Sequence, residues 1–204
     1  CFMLMTIPRE AAQGFVQKIF YVHVPVAWVA FLAFGVTGWK GLRYLMTKDL
    51  AHDRTAAASA EVGVIFISLV LITGPLWAKP IWGIYWTWDL RLTTSFILWL
   101  LYLAYLILRR SIPDRERRAQ LSAVVGLISF LDVPIVYMAN RVKASQHPAP
   151  VVGGGDGSGL APEFLATLLI GVFTFTVTYV LLLRLRNQQA RIEDRIEELY
   201  LQRS

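Results

Sequence analysis

The aromatic residues of this 204-residue chain are concentrated in one short segment. Four of its seven tryptophans fall within twelve residues, and a tyrosine lies among them: Trp77, Trp82, Tyr85, Trp86 and Trp88. An indole ring is large and apolar but carries an N–H donor, so a dense group of such rings suits a planar apolar ligand with polar edges. The alternative is an ordinary aromatic belt at a membrane surface, but a belt spreads its rings over many helix ends. The density therefore favours a binding surface.

Charged and ligating side chains accompany this segment. Asp89 suits either a partner for a Trp N–H or the N-cap of a following helix, and Arg91 suits an anionic group at the edge of a ligand. His23 and His147 are predicted to lie on the same side of the molecule as the tryptophans. A lone histidine at a helix end is usually just hydrogen-bonded, but two of them beside an aromatic surface suit the axial ligands of a haem iron.

Several other kinds of chemistry lack the residues that they need. A single cysteine cannot form an internal disulfide or a cysteine-based zinc site. The sequence has neither the glycine-rich loop that binds nucleotide phosphates nor the G-x-S-x-G turn of serine hydrolases. The residues that remain suit the binding of a ligand, and we do not expect an enzyme.

The composition indicates that these residues are positioned by membrane-spanning helices. Apolar residues make up 56% of the chain and charged residues only 17%, against about 25% charged residues in soluble domains. Five stretches with almost no charge are long enough to cross a bilayer as helices: residues 19–39, 62–78, 92–108, 119–140 and 164–183. We predict an all-α polytopic membrane protein, with residues 1–204 as a single integral membrane domain.

The basic residues predict which side each connecting segment faces. Fourteen Lys and Arg residues lie in one set of segments and six in the opposite set, and the richer side is expected to be cytoplasmic. Residues 1–18, 79–91 and 141–163 then face outward, and the tail 184–204 is cytoplasmic. The net charge of +6 is thus a topology signal, and nucleic-acid binding is not expected.

Two features of the predicted spans bear on the site. Pro75, Pro80 and the glycines near them are expected to break the regular helix and to give the aromatic segment the shape of a shelf. Asp132 lies well inside its span, where an ionisable group is costly and often functional. Its role is left open between a structural hydrogen bond and direct handling of a ligand or a proton.

Two motifs occur in order along the chain. The first is Tyr21-Val22-His23-Val24-Pro25, and the second is Trp-Gly-x-x-Trp-x-Trp-Asp-x-Arg-Leu-Thr, which begins at Trp82. Both resemble motifs of the haem exporter protein C family (CcmC) of bacterial cytochrome c maturation. Residues 74–93 resemble the WWD segment of that family, although Tyr85 stands where the family usually has another Trp. The family has six helices, so we expect a first helix to be missing before Cys1; a lipoprotein that begins at Cys1 is the alternative.

The resemblance implies that the protein handles haem. Haem b would rest on the WWD segment, with His23 and His147 as outward-facing axial ligands of its iron. The other implied site residues are rings that contact or support the macrocycle and two charged residues that fix the segment or meet the polar edge of haem: Trp77, Trp82, Tyr85, Trp86, Trp88, Asp89 and Arg91. The protein would lie in the bacterial inner membrane and pass haem, on the periplasmic face, to the haem chaperone CcmE. Its partners would be the small subunit CcmD and the transporter pair CcmA and CcmB.

Two other functions stay open at this stage. A haem lyase, which attaches haem to apocytochrome c, shares the Trp-rich segment but is expected to be larger and to contain more histidines. An assembly subunit that binds no haem would be colourless and insensitive to a change at His23. A di-haem cytochrome b is excluded, because it needs two pairs of histidines deep within its spans and this chain has three histidines in all.

Overall fold

The structure, a computed structural model, describes residues 13–142 and 160–202. Within these residues a short 3-10 helix, Phe15–Ile19, leads into a series of α-helices. They are α1 (Phe20–Thr47), α2 (Leu50–Trp82), α3 (Leu90–Ser111), α4 (Arg115–Phe130), α5 (Asp132–Val142) and α6 (Pro162–Leu201). Five helical stretches are long and apolar enough to cross a membrane, and α4 and α5 together supply one of them. The prediction of an all-α polytopic membrane protein with five spans is confirmed.

The helices are longer than the predicted spans. The second span was predicted for residues 62–78, whereas α2 has 33 residues and begins at Leu50. A helix of that length measures about 50 Å at 1.5 Å per residue, and the apolar core of a bilayer is about 30 Å thick. The absence of charge marks only the middle of each helix, because the charged turns at its ends continue the helix beyond the apolar core.

Local capping residues explain where several helices begin and end. The carboxylates of Asp49, Asp89 and Asp114 each accept a hydrogen bond, 2.7–3.0 Å long, from a backbone N–H in the first turn of α2, α3 and α4. Such a cap satisfies one of the N–H groups that a helix start leaves without a partner. At the other end of α2, Gly83 adopts φ 78°, a left-handed conformation that suits glycine and stops the helix.

Small residues let the helices approach closely near their midpoints. Helix α1 packs against α2, α4 and α6, and is the central helix of the described bundle. Its Phe34 is fully buried and stacks on Tyr102 of α3, with ring centroids 3.6 Å apart. A Cβ atom at Gly63 of α2 would lie 2.6 Å from the Phe34 ring, so only glycine fits there. We call Phe34, Gly63 and Tyr102 the middle layer.

The prediction that Pro75 and Pro80 break the helix is wrong. Both lie inside α2, which continues to Trp82. Proline removes one backbone hydrogen bond, but membrane-spanning helices tolerate this loss because neighbouring groups and small local adjustments compensate for it. Only residues 83–89 between α2 and α3 are non-helical. The predicted shelf is therefore a short connection, and half of the aromatic segment is the end of a helix.

Ion pairs join the helices at the end of the bundle away from the aromatic segment. These pairs are Asp53–Arg109, Glu61–Arg186, Arg54–Asp194 and Arg115–Asp194. They connect α2 with α3, α2 with α6, and α4 with α6, and we call this region the ion-pair end. Of the predicted cytoplasmic tail 184–204, the residues up to Leu201 are the last part of α6, and Asp194 holds them against the bundle.

Candidate functional site

His23 and the aromatic segment meet in one pocket at the other end of the bundle. The pocket is formed by the start of α1, the last turns of α2, the connection 83–89 and the first turn of α3, and Val136 of α5 closes one side. Predicted site residues that line it are His23, Trp77, Trp82, Tyr85, Trp86, Asp89 and Arg91. We call it the aromatic pocket. Residues more than 60 positions apart in the sequence thus share one wall.

The imidazole of His23 is held on several sides by α2. It is buried, with 5% of its surface exposed, and its Nδ1 lies 2.8 Å from Oγ1 of Thr73 in a hydrogen bond. The ring of Trp77 lies beside it, with centroids 5.9 Å apart and a tilt of 56°. A Cβ atom at Gly74 would lie 3.4 Å from Cε1 of His23. The absence of a side chain at Gly74 therefore leaves room for the imidazole.

The indoles of the aromatic segment pack in two pairs. Trp77 and Trp82 have centroids 6.2 Å apart, and Trp86 packs edge-on against Trp88 at 5.7 Å. The indole Nε1 of Trp86 is buried, and among the described residues it has no hydrogen-bond partner. A buried N–H donor without a partner costs free energy, so this atom is a donor that a ligand in the pocket could use.

Trp88 was predicted to contact the ligand together with Trp82 and Trp86, but it does not line the aromatic pocket. Its side chain is 74% exposed and packs against Phe96 of α3. It lines a separate apolar groove of about 480 Å³ between α2 and α3, whose walls also include Trp86 and Trp99. We call this the side groove. The sequence spacing alone does not indicate that Trp86 and Trp88 line different cavities.

Asp89 and Arg91 have different roles in the structure. Asp89 is the N-cap of α3, where its carboxylate accepts hydrogen bonds from the Leu92 N–H and the Thr87 hydroxyl. This is one of the two roles predicted for it. Arg91 follows in the first turn of α3 and lines the pocket. Within the described part of the chain its guanidinium has neither a hydrogen bond nor an ion pair, and the carboxylate of Asp89, which lines the same pocket, attracts it from a longer distance.

Tyr85 lies at the rim of the pocket. Its ring is 57% exposed, and the ammonium group of Lys79 lies 5.1 Å above the ring centroid. Lys79 also donates a hydrogen bond of 2.7 Å to the carbonyl of Gly83. This lysine therefore connects the last turn of α2 to the non-helical connection and keeps Tyr85 at the pocket entrance.

Two further predicted residues are placed differently. His147, the predicted second axial ligand, lies outside the described residues. Asp132 is the first residue of α5, directly after the break at Leu131 that separates α5 from α4. Its Oδ2 is buried and has no hydrogen-bond partner among the residues that the structure describes. Asp132 does not line the aromatic pocket, and both roles left open for it remain open.

The chemistry of the pocket suits haem, but its enclosed space is small. Aromatic walls, one imidazole, one cation without an ion pair and one indole N–H match an iron macrocycle with apolar faces and carboxylate edges. The enclosed cavity measures about 60 Å³, which holds only a few water molecules. A macrocycle would therefore lie at the open side of the pocket, or its binding would require the indoles to move apart.

Thr73, Gly74 and Val136 were not predicted to contact the site. Thr73 and Trp77 are four positions apart in α2, so they share one face of a helix, but the spacing alone does not show that this face contacts His23. No comparable signal identifies Val136, because its place in the pocket depends on how α5 packs against α3.

Comparison with known proteins supplies independent evidence. The family model described as "Heme exporter protein C" matches residues 1–202. The Heme exporter protein C of Bradyrhizobium diazoefficiens is 38% identical over 176 residues, which are 86% of this chain and 66% of that protein. A putative cytochrome c biosynthesis ccmC-like mitochondrial protein of Arabidopsis thaliana is 33% identical over 63% of this chain and 48% of its own length.

The Heme exporter protein C of Escherichia coli K12 is 28% identical over 204 residues, which cover 96% of this chain and 81% of that protein. The chain therefore spans between about half and four fifths of the length of these three relatives. The match extends over both motifs and all five spans. On this evidence the chain belongs to the heme exporter protein C family.

Proposed function

We propose that this protein binds haem b at the aromatic pocket and delivers it for the maturation of c-type cytochromes. One observation carries the proposal: His23, the indoles of the WWD segment and a cation without an ion pair converge on one pocket from α1, α2 and α3. The names of the relatives, which refer to heme export and cytochrome c biosynthesis, support the same function.

Each group of the pocket has a specific task in this proposal. The imidazole of His23 would bind the iron. The rings of Trp77, Trp82 and Trp86 would cover the apolar faces of the macrocycle, and the guanidinium of Arg91 would pair with a propionate. The chain binds and releases its cargo without making or breaking covalent bonds, so we propose a carrier and not an enzyme.

The proposal includes a membrane orientation and a set of partners. The resemblance to the family implies a bacterial inner membrane, and the distribution of basic residues favours the aromatic pocket on its periplasmic side and the end of α6 in the cytoplasm. His147, on the same predicted side, would supply the second axial ligand. Haem would pass from here to the chaperone CcmE, with CcmA, CcmB and CcmD as further members of the complex.

The test is an absorption spectrum of the protein purified in detergent from haem-replete cells. We expect a bis-imidazole haem spectrum in the wild type and the loss of most of the haem in His23→Ala and His147→Ala. The matched control is His52→Ala, which removes the third histidine from the opposite end of α2 and is expected to keep the wild-type haem content. Colourless wild-type protein, even when its partners are co-expressed, would contradict the proposal. So would a His23→Ala variant that retains as much haem as His52→Ala.

A further inference from the structure

The hydroxyl of Thr73 makes two short hydrogen bonds, one within its own helix and one to α1. Its Oγ1 lies 2.7 Å from the carbonyl oxygen of Leu69, one turn earlier in α2, and 2.8 Å from Nδ1 of His23 in α1. Two oxygen atoms at 2.7 Å require a proton between them, and a carbonyl carries none. The single hydroxyl proton of Thr73 is therefore donated to Leu69.

The remaining hydrogen bond then has one direction. With its proton used, Oγ1 of Thr73 presents only lone pairs to His23, so Nδ1 of the imidazole is the donor. A neutral imidazole carries one proton, and when Nδ1 is protonated the lone pair is on Nε2. A lone pair is what an iron ligand needs, and the hydrogen bond made by one ring nitrogen determines which form the other nitrogen takes.

We infer that Thr73 is a positioning residue that holds His23 in the Nδ1–H tautomer, so that Nε2 is the atom that binds the iron of haem. This inference rests on the proposed function, because it assumes that His23 is the ligand. Thr73 does not line the pocket itself and acts only through the imidazole. Its oxygen also accepts the hydrogen bond from the Nδ1–H group, which raises the basicity of Nε2 and makes it a stronger ligand.

Burial makes this contact difficult to replace. His23 has 5% of its surface exposed, so bulk water is not available to take over the role of Thr73. Without the hydroxyl, the buried Nδ1–H would lose this acceptor, and the free-energy difference that favours this tautomer would be lost with it. Trp77 and Gly74, on the same helix, define the remaining space around the ring.

The chain contains a matched control for this arrangement. Oγ1 of Thr176 in α6 donates to the carbonyl of Val172, one turn earlier, at 2.7 Å, and it accepts a hydrogen bond of 3.2 Å from the indole Nε1 of Trp28 in α1. It is thus also a threonine that connects a ring N–H of α1 to another helix, but it lies outside the aromatic pocket. Thr176→Val removes the same groups as Thr73→Val.

The first measurement is ¹⁵N NMR of haem-free protein labelled at its three histidines, with the His23 signals identified from their absence in His23→Ala. We expect the Nδ1–H tautomer in the wild type, in Thr73→Ser and in Thr176→Val. In Thr73→Val we expect a shift towards Nε2–H. A wild-type protein with His23 in the Nε2–H form overturns the inference, as does a tautomer that is unchanged in Thr73→Val.

The second measurement is titration of the same variants with haem. Loss of the second partner of a metal-bound histidine costs roughly 10- to 100-fold in affinity, so we expect that loss in Thr73→Val and a near wild-type affinity in Thr73→Ser and Thr176→Val. If Thr73→Val binds haem as tightly as Thr176→Val while His23→Ala has lost it, the role of Thr73 is wrong and the proposed function stands. If His23→Ala binds haem like the wild type, ligation by His23 is wrong and the role of Thr73 falls with it.

Discussion

The two ends of the bundle differ in how their charged side chains are paired. At the ion-pair end, the carboxylates of Asp53 and Glu61 are each paired with an arginine from another helix. At the aromatic pocket, Arg91 has no ion pair within the described residues, and the buried Nε1 of Trp86 has no hydrogen-bond partner there. The ion-pair end also encloses the larger cavity, about 620 Å³ against about 60 Å³.

This difference is the one expected between a region that holds the fold and the ligand site proposed here. Paired charges are satisfied within the protein and have little left to offer a ligand, even beside a large cavity. A half-buried arginine without an ion pair and a buried N–H donor without a hydrogen-bond partner are groups that a ligand can still bind. Cavity volume alone would point to the ion-pair end and not to the proposed site.

The largest effect is expected from breaking the ion-pair end. Asp53→Ala leaves Arg109 buried without its carboxylate, so the free energy of unfolding should fall by about 3–5 kcal/mol, as measured by unfolding in mixed detergent micelles. Asp49→Ala is the control, because it removes only an N-cap of the same helix and should cost about 1 kcal/mol. Equal losses in the two variants would mean that the pairing does not stabilise this end.

Replacement of Arg91 should lower haem affinity without lowering the stability of the haem-free protein. Arg91→Leu removes a cation without an ion pair, so the haem-free protein should be as stable as the wild type or more stable. Haem affinity should fall by about 1.5–3 kcal/mol, the usual contribution of a hydrogen bond to a charged group, which is a factor of about ten to a hundred. The measurements are haem titration and unfolding, with Arg109→Leu as a control that loses stability. Unchanged haem affinity would exclude Arg91 as the propionate partner.

The smallest effect is expected from replacing one of two neighbouring indoles, Trp86 or Trp88. Trp86 lines the aromatic pocket and Trp88 does not, so Trp86→Ala should weaken haem binding by at least about 0.5–1.5 kcal/mol, the contribution of one ring stack beyond its buried area. Trp88→Ala should weaken it less, since it acts only by packing against Trp86. The comparison is made by haem titration of both variants in the same detergent. A larger loss of haem affinity in Trp88→Ala than in Trp86→Ala would indicate that the ligand binds at the side groove.

The five spans and the meeting of His23 with the tryptophans could be predicted from sequence, because apolar length and aromatic clustering are strong local signals. The helix ends could not be predicted in this way, because a helix such as α2 extends beyond its apolar part and includes Asp53 and Glu61. The helix break predicted at Pro75 and Pro80 is absent for a related reason. The surrounding bundle, and not the local sequence, decides whether a proline interrupts a membrane-spanning helix.

Contacts between segments that are far apart in the sequence could not be predicted either. The pair Arg54–Asp194 joins residues 140 positions apart, and nothing in either neighbourhood marks the other as its partner. The outward turn of Trp88 depends on the backbone of the connection between α2 and α3. Thr73 is an intermediate case, because its spacing from Trp77 is informative only when the position of His23 relative to α2 is known.

The middle layer has a consequence for the path that a cargo molecule can take. Phe34, Gly63 and Tyr102 lie between the aromatic pocket and the cavity at the ion-pair end, and the two rings are stacked at 3.6 Å. A body as large as haem could not travel lengthwise between α1, α2 and α3 without separating these residues. If the pocket holds haem as proposed, the packed middle layer favours loading and unloading at the pocket's own end of the molecule, through its mouth or sideways from the lipid along the groove beside Trp86.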